Sequence, residues 1–250
     1  MGRIFITGDC HGDIDIAKIK RLRSHNRKMS FTKEDVLIIT GDFGGVWYGN
    51  EKDNFWLDWW DSCPWTTVFI DGNHENHAAL QKYPIITKFG APAHEIRPSV
   101  FHLMRGFIYT LNKYQFFTFG GALSVDRAYR AENVSWWKDE LPTKEEFLRG
   151  IDTCERAYNE VDYVITHACP TYIRQGLWKP FFKDFSKEEI LQAYGSDHLN
   201  IEQVLDTFYN QINYKKWYFG HYHTDKEVKG ARCLYNSVYE ITSEGDKFII

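Results

Sequence analysis

Eight side chains in this sequence have the types needed to act together on a phosphate: Asp9, His11, Asp42, Asn73, His74, His167, His221 and His223. Carboxylate and amide oxygens combined with neutral imidazole suit Mn²⁺, Fe²⁺ or Zn²⁺, whereas Mg²⁺ takes few or no imidazoles. The set is too large for one tetrahedral ion and large enough for two ions that share a carboxylate. Paired ions ~3.5–4 Å apart clamp the entering and leaving oxygens of a phosphoryl displacement.

The elements that must position these groups are legible around them. Arg3 to Thr7, Val36 to Thr40, Thr67 to Ile70, Val161 to Thr166 and Lys216 to Phe219 read as buried strands. Directly after them come Gly8-Asp9-Cys10-His11-Gly12, Gly41-Asp42-Phe43-Gly44-Gly45, Asp71-Gly72-Asn73-His74-Glu75, His167, and Gly220-His221-Tyr222-His223. In open α/β sheets, ligands bind outside the carboxyl ends of strands, so the pattern gathers these groups at one sheet edge. Amphipathic segments at 14–27, 55–60 and 77–83 alternate with the first three strands and predict parallel βαβ units. From Ile96 to Gly121 the pattern becomes strand-like, and Asn112-Lys113 divides Phe107–Leu111 from Tyr114–Phe119 as an antiparallel hairpin. Helices are expected from Pro142 to about Asn159, near Lys187–Tyr194, and from Asn200, a capping residue, to Ile212; the tail from Lys226 to Ile250 reads as short strands turning at Gly245. No repeat, low-complexity tract or linker interrupts the chain, so residues 1–250 are expected to form one domain.

Each motif alone has a plainer explanation. Asp9 and His11 suit a turn, Asp42 a strand end, and Asn73 a helix cap; a lone His167 suits a hydrogen-bonded core histidine. His221 and His223 are stronger, because alternate strand residues share a face. The combination decides for a metal site: four of the ten histidines fall in three short motifs and His167 stands alone, each directly after a strand pattern.

Composition narrows the class. Hydrophobic residues are 43% and charged residues 26%, ordinary for a globular chain and against wholesale disorder. Aromatics reach 17%, which suits strand-rich packing. The net charge of −4, with no basic stripe, speaks against duplex nucleic acid as a partner. No apolar run is long enough to span a membrane, and the amino terminus lacks a signal-peptide pattern. Five widely spaced cysteines without a CxxC pair suggest reduced thiols and a cytoplasmic location.

The order D-x-H, G-D, G-N-H-[DE], a lone H and G-H-x-H resembles the calcineurin-like metallophosphoesterases, and the resemblance runs from Asp9 to His223. It implies a four-layer αββα sandwich of two mixed β-sheets flanked by helices, similar to small bacterial and phage-type members. It further implies that Asp9, His11, Asp42 and His223 hold one divalent ion, that Asp42 bridges to a second completed by Asn73, His167 and His221, and that His74 faces phosphate without binding metal. Mn²⁺ is the expected metal, with Fe or Zn as alternatives. The expected reaction is hydrolysis of a phosphate mono- or diester by a metal-bridging hydroxide, with His74 as general acid. Substrates on this reading are a phosphorylated small molecule, a nucleotide or a phosphoprotein.

The second motif departs from the resembling family. Members that act on phosphoproteins read G-D-x-x-D-R, whereas here Asp42 is followed by Phe43-Gly44-Gly45-Val46. Both the Asp that would steady the catalytic histidine and the Arg that would grip phosphate are missing. Arg127 and Arg130, after the hairpin, are candidates for the phosphate contact, against the plainer reading that they pair with Asp126 or Glu132. Trp136 and Trp137 suit packing better than base stacking. The rival functions are a non-catalytic scaffold on the same fold and a nuclease of the same family. Substrate choice belongs to the loops at 43–55, 123–137 and 170–198.

Overall fold

Alternate side chains of a strand point to opposite faces, and this period sorts the apolar residues of the chain into three separate cores. The computed structural model describes residues 2–177 and 185–250. Strands β1 (Ile4–Thr7), β2 (Val36–Ile39), β3 (Thr66–Phe69), β4 (Ile85–Lys88), β5 (Ala91–Arg97), β6 (Val100–Leu103), β13 (Tyr239–Thr242) and β14 (Gly245–Phe248) form one sheet in the order β14-β13-β1-β2-β3-β6-β5-β4. Strands β7 (Phe107–Leu111), β8 (Tyr114–Phe119), β9 (Tyr163–Thr166), β10 (Lys216–Phe219), β11 (Lys226–Val228) and β12 (Ala231–Cys233) form the other in the order β11-β12-β10-β9-β8-β7. Both sheets are mixed: β1, β2, β3 and β6 run parallel in the first, β8, β9, β10 and β12 in the second, and antiparallel pairs border them.

Ile4, Ile6, Val36, Ile38, Val68, Phe116, Ile165 and Tyr218 fill the space between the sheets. The intervening Phe5, Leu37, Ile39 and Phe69 face outward, against Ile19 and Leu22 of α1 (Ala17–Ser24), Leu57 and Trp60 of α3 (Glu51–Asp61), and Leu80 of α4 (His77–Leu80), with Met29 of α2 (Asn26–Met29) packed alongside. On the second sheet, Phe117, Phe119, Val164, Trp217 and Phe219 meet Cys154 of α5 (Lys144–Arg156), Ile173 of α6 (Thr171–Arg174), Ile190 of α7 (Lys187–Tyr194) and Phe208 of α8 (Ile201–Gln211). These layers are the αββα sandwich implied by the motif order.

Most expected elements are present, and the differences have local causes. The first helix begins at Ala17, and Ile14 is 78% exposed, because residues 10–15 form a turn pinned to the β2 loop: the Cys10 and His11 N–H groups donate to the Asp42 carbonyl and Gly12 N–H to that of Phe43. The β4–β5 hairpin escaped the pattern reading because β4 is a four-residue edge strand with no fully buried side chain. Helix α5 starts later than Pro142, where Thr143 and Glu146 form a reciprocal capping box. Asn200 caps α8, as expected. The loop at 170–198 contains α6 and α7, and its residues 178–184 lie outside those described. Among the described residues, no helix is long and apolar enough to cross a membrane.

A partly buried ion pair ties the start of β1 to that of β2. Asp35 accepts from the Arg3 backbone N–H (2.8 Å), Arg3 Nε (3.0 Å) and Nη2 (2.8 Å), and the Thr32 N–H (2.9 Å). Burial opposes its charge, but these hydrogen bonds win and hold its pKa below the ordinary carboxylate value. A depressed folded pKa contributes stability above the unfolded value and loses it as pH falls through the folded one. Asp35→Asn is therefore expected to be less stable than wild type in urea titrations at pH 7, with the gap narrowing as pH drops below about 4. A gap that stays constant with pH would show that the loss is one of packing.

Candidate metal centre

The carboxyl ends of β1, β2 and β3 meet those of β9 and β10 at one edge of the sandwich, where the polar residues collect. Their donor atoms form two groups: Asp9, His11, Asp42 and His223 in one, Asp42, His167 and His221 in the other, all within 4.8 Å of one another in each. Asp42 belongs to both.

Each central carboxylate is buried and anchored by backbone. Asp42 Oδ1 accepts the His74 N–H at 2.7 Å, which leaves Oδ2 at 3.2 Å from Nε2 of both His11 and His167. Asp9 accepts the His221 N–H at 3.1 Å on each oxygen, with His223 Nε2 3.3 Å from its Oδ2. Such close backbone approach depends on glycine. A Cβ at Gly72 would lie 2.1 Å from Asp42 Oδ1, and one at Gly220 2.2 Å from Asp9 Oδ1. Four of the candidate ligands hold left-handed backbone that non-glycine residues seldom adopt: His11 (φ 46°), Asp42 (48°), His221 (66°) and His223 (44°). Strain of this kind persists only where surrounding structure enforces it, and it clusters at functional sites.

Outer partners set the imidazoles. His167 Nδ1 lies 2.8 Å from the Thr40 carbonyl, which can only accept, so Nδ1 carries hydrogen, and the buried Nε2 faces Asp42 Oδ2 at 3.2 Å. Asp15 likewise takes the His11 Nδ1–H at 2.6 Å, and Tyr235, 3.1 Å from Asp15 through its hydroxyl, stacks on His223 with ring centroids 4.7 Å apart. Against burial, the charge and hydrogen bond of Asp42 lift both His11 and His167 to about 9, so protons supply positive charge between the carboxylates. Burial, then the nearby His167, pushes His221 well below the usual imidazole range. Asn73 does not cap a helix; Asn76 caps α4 instead. The Asn73 Oδ1 is buried without a partner while its Nδ2 donates to Ser124 Oγ at 3.3 Å. Two buried carboxylates, an orphaned amide oxygen and imidazole lone pairs fit divalent transition cations.

His74 stands beside this cluster, with its ring 4.9 Å from that of His11. Arg130 reaches it, Nη2 lying 3.2 Å from His74 Nε2, and also pairs with Asp126 at 2.8 Å, the plainer of the two expectations for this residue. Burial first, and then the cation of Arg130, lower the His74 pKa to about 4. Arg127 goes elsewhere: its guanidinium lies over the rings of Phe185 and Tyr194. Trp137 is buried edge-on to Trp47, whose ring lies 6.1 Å from that of His74, and Trp136 packs in the outer core. Cys10 is buried, and burial pushes its thiol up to about 12, consistent with neutral filling of the turn.

Several supporting residues had no role assigned from the sequence. Glu75 is fully buried and accepts the Phe43 N–H at 2.7 Å and the Gly44 N–H at 3.3 Å, fixing the loop that replaces the expected Asp and Arg. Asp15 was accessible in principle, as it lies four residues after His11. Tyr235, Ser124 and Glu140 approach from distant chain segments.

Residues 2–225 match the calcineurin-like phosphoesterase family. No curated protein sequence matches the chain. A solved structure described as a 5'-nucleotidase from Staphylococcus aureus, in complex with α-ketoglutarate, aligns at 12% identity and a TM-score of 0.47, covering 99% of this chain and 52% of that one. The chain thus spans about half the length of that protein.

The glycine contacts yield a direct test. Gly72→Ala is expected to displace the Asp42 carboxylate and weaken Mn²⁺ binding about tenfold or more in calorimetric titration. Unchanged affinity would mean that the carboxylate moves aside at no cost to binding.

Proposed function

The chain belongs to the calcineurin-like phosphoesterase family, and we propose that it is a two-metal phosphoesterase, residues 1–250 acting as one catalytic domain on a phosphate mono- or diester. The observation that carries this reading is Asp42, whose buried carboxylate belongs to both donor groups. Asp9, His11, Asp42 and His223 would hold one ion, and Asp42, Asn73, His167 and His221 the other. Their oxygen and imidazole chemistry favours Mn²⁺, with Fe or Zn as alternatives. Bound there, two divalent cations supply neutralising charge to phosphate oxygens and acidify water near neutral pH.

The protein's own groups divide the remaining tasks. The Asp9 and Asp42 carboxylates are held by backbone N–H groups, so they need no rearrangement when cations bind. His74, adjacent to Asn73 yet outside both donor groups, faces the substrate as the proton donor to the departing oxygen. Arg130 supplies the cation that the second motif lacks: a fork of N–H donors beside His74 suits a phosphate oxygen. A phosphate dianion drawing on that fork would loosen the hold of Arg130 on Nε2 and bring negative charge to the imidazole, both of which favour its protonated form. Substrates on this reading are phosphorylated small molecules, nucleotides or phosphoproteins, and a cytoplasmic location fits five unpaired, buried cysteines.

Elemental analysis after reconstitution with Mn²⁺ should approach two equivalents per chain. A well-folded protein that accepts only one would overturn the two-metal reading. Asp42→Asn should cost more turnover than the about 10–100-fold typical of losing an outer-sphere partner, since both ions lose a shared charge. Near wild-type turnover would show that Asp42 does not bridge.

His74→Ala should retain both ions and lose about 10²–10⁴-fold on an alkyl phosphate, whose alkoxide needs a proton. The loss should be far smaller on a p-nitrophenyl ester, whose phenolate leaves unaided. Equal losses on the two substrates would assign His74 to phosphate binding, and loss of metal would make it a ligand.

A further inference from the structure

A buried carboxyl group outside the donor set decides how one of the proposed ligands is presented. Glu140 is fully buried, and three donors converge on it. Its Oε1 accepts the Ser124 N–H at 2.8 Å and the Tyr194 hydroxyl at 2.5 Å, and its Oε2 accepts the Ser124 hydroxyl at 2.6 Å. Arg127 lies over the Tyr194 ring, 5.1 Å from its centroid, and so closes the outer end of this chain. At the inner end, Ser124 Oγ accepts from Asn73 Nδ2 at 3.3 Å.

Hydrogen-bond direction propagates along this chain. Burial pushes the Glu140 carboxyl up to about 7, against the hydrogen bonds from Ser124 and Tyr194 that favour its charge. Once ionised it only accepts, so above that pH the single proton of the Ser124 hydroxyl is committed to Glu140. Ser124 Oγ then has only lone pairs for Asn73, and an amide must answer with its NH₂ end. Presenting Oδ1 to Ser124 instead would set two acceptors against each other in a buried site, which is unfavourable. Oδ1, buried and without a hydrogen-bond partner, is thereby the end left for a cation. We infer that Glu140, acting through Ser124, is a positioning residue that fixes which end of the Asn73 amide faces the metal centre. This rests on the two-metal reading, in which Asn73 completes the second site.

Glu140→Gln retains the shape and the Oε1 contacts but places an NH₂ group against Ser124 Oγ. The serine proton is released and can satisfy Asn73 Oδ1, so the amide turns and the second ion loses its oxygen. The test is calorimetric Mn²⁺ titration of chelator-stripped protein, with circular dichroism as the check on folding. Wild type should show two binding events. Glu140→Gln should weaken the second by about 10–100-fold and leave the first intact, and Ser124→Ala should do the same should Glu140→Gln fail to fold. Ser124→Thr, which keeps the hydroxyl, should bind both ions as wild type does. The decisive variant is Asn73→Asp, whose two ends are both oxygens: in that background Glu140→Gln should carry no penalty at the second site. An equal penalty in both backgrounds would reduce Glu140 to a general structural role and overturn the inference. So would a Glu140→Gln protein that binds the second ion at wild-type affinity. A wild type that takes only one ion would overturn the two-metal reading and this inference with it, and is told apart because it fails before any variant is made.

Discussion

Two carboxylates buried side by side are the constraint on which the rest of this structure depends. Asp9 and Asp42 are removed from water at the seam between two sheets, where unpaired negative charge is costly. Backbone N–H groups from His221 and His74 answer part of that charge, and four imidazoles from three loops surround the remainder. The carboxylate charge in turn favours protons on His11 and His167. A pair of divalent cations would replace those protons and free the imidazole lone pairs as ligands.

That constraint explains features that look wasteful by themselves. Left-handed backbone at four non-glycine residues costs stability, as does packing glycine where any side chain would collide with a carboxylate. Three hydrophobic cores stand behind the seam and offset these costs. The parallel strands supply the geometry: their carboxyl ends lie in register, so loops from both sheets reach a common line. At the site the left-handed residues fall within the first few positions beyond β1, β2 and β10.

Legibility in the sequence followed the range of each interaction. The ligand residues were readable because every motif sits within four residues of a strand whose apolar run is unmistakable. The Phe107–Leu111 and Tyr114–Phe119 hairpin, helix α7 and strand β10 were readable because local pattern and tertiary burial agree. Strand β4 was missed because an edge strand buries too little to leave an alternating signature. The late start of α1 was missed because the preceding turn takes its hydrogen bonds from the β2 loop, a long-range partner. Arg127 and Arg130 were indistinguishable as letters; the short 3₁₀ turn at Arg127–Tyr129 sends the two guanidinium groups to different neighbours. Glu140 and Ser124 offered no motif, since each gains meaning only from the other and from Asn73.

The excursion between β8 and α5 reaches the loop that carries Asn73 and His74. In the second loop, Glu75 takes the Phe43 and Gly44 N–H groups, and neither an acid nor an arginine follows Asp42 at the usual spacing. The excursion instead delivers groups to two consecutive residues. Ser124, backed by Glu140, holds the amide of Asn73, and Arg130 meets the imidazole of His74. One loop therefore touches a proposed metal ligand and the proposed substrate-facing histidine at the same time. Its position relative to Asn73 is set by buried, charge-assisted hydrogen bonds to Glu140, whereas Arg130 is held by Asp126, a partner half exposed to solvent. The contact to Asn73 is therefore shielded from solvent, whereas the contact to His74 rests on an ion pair that water can reach.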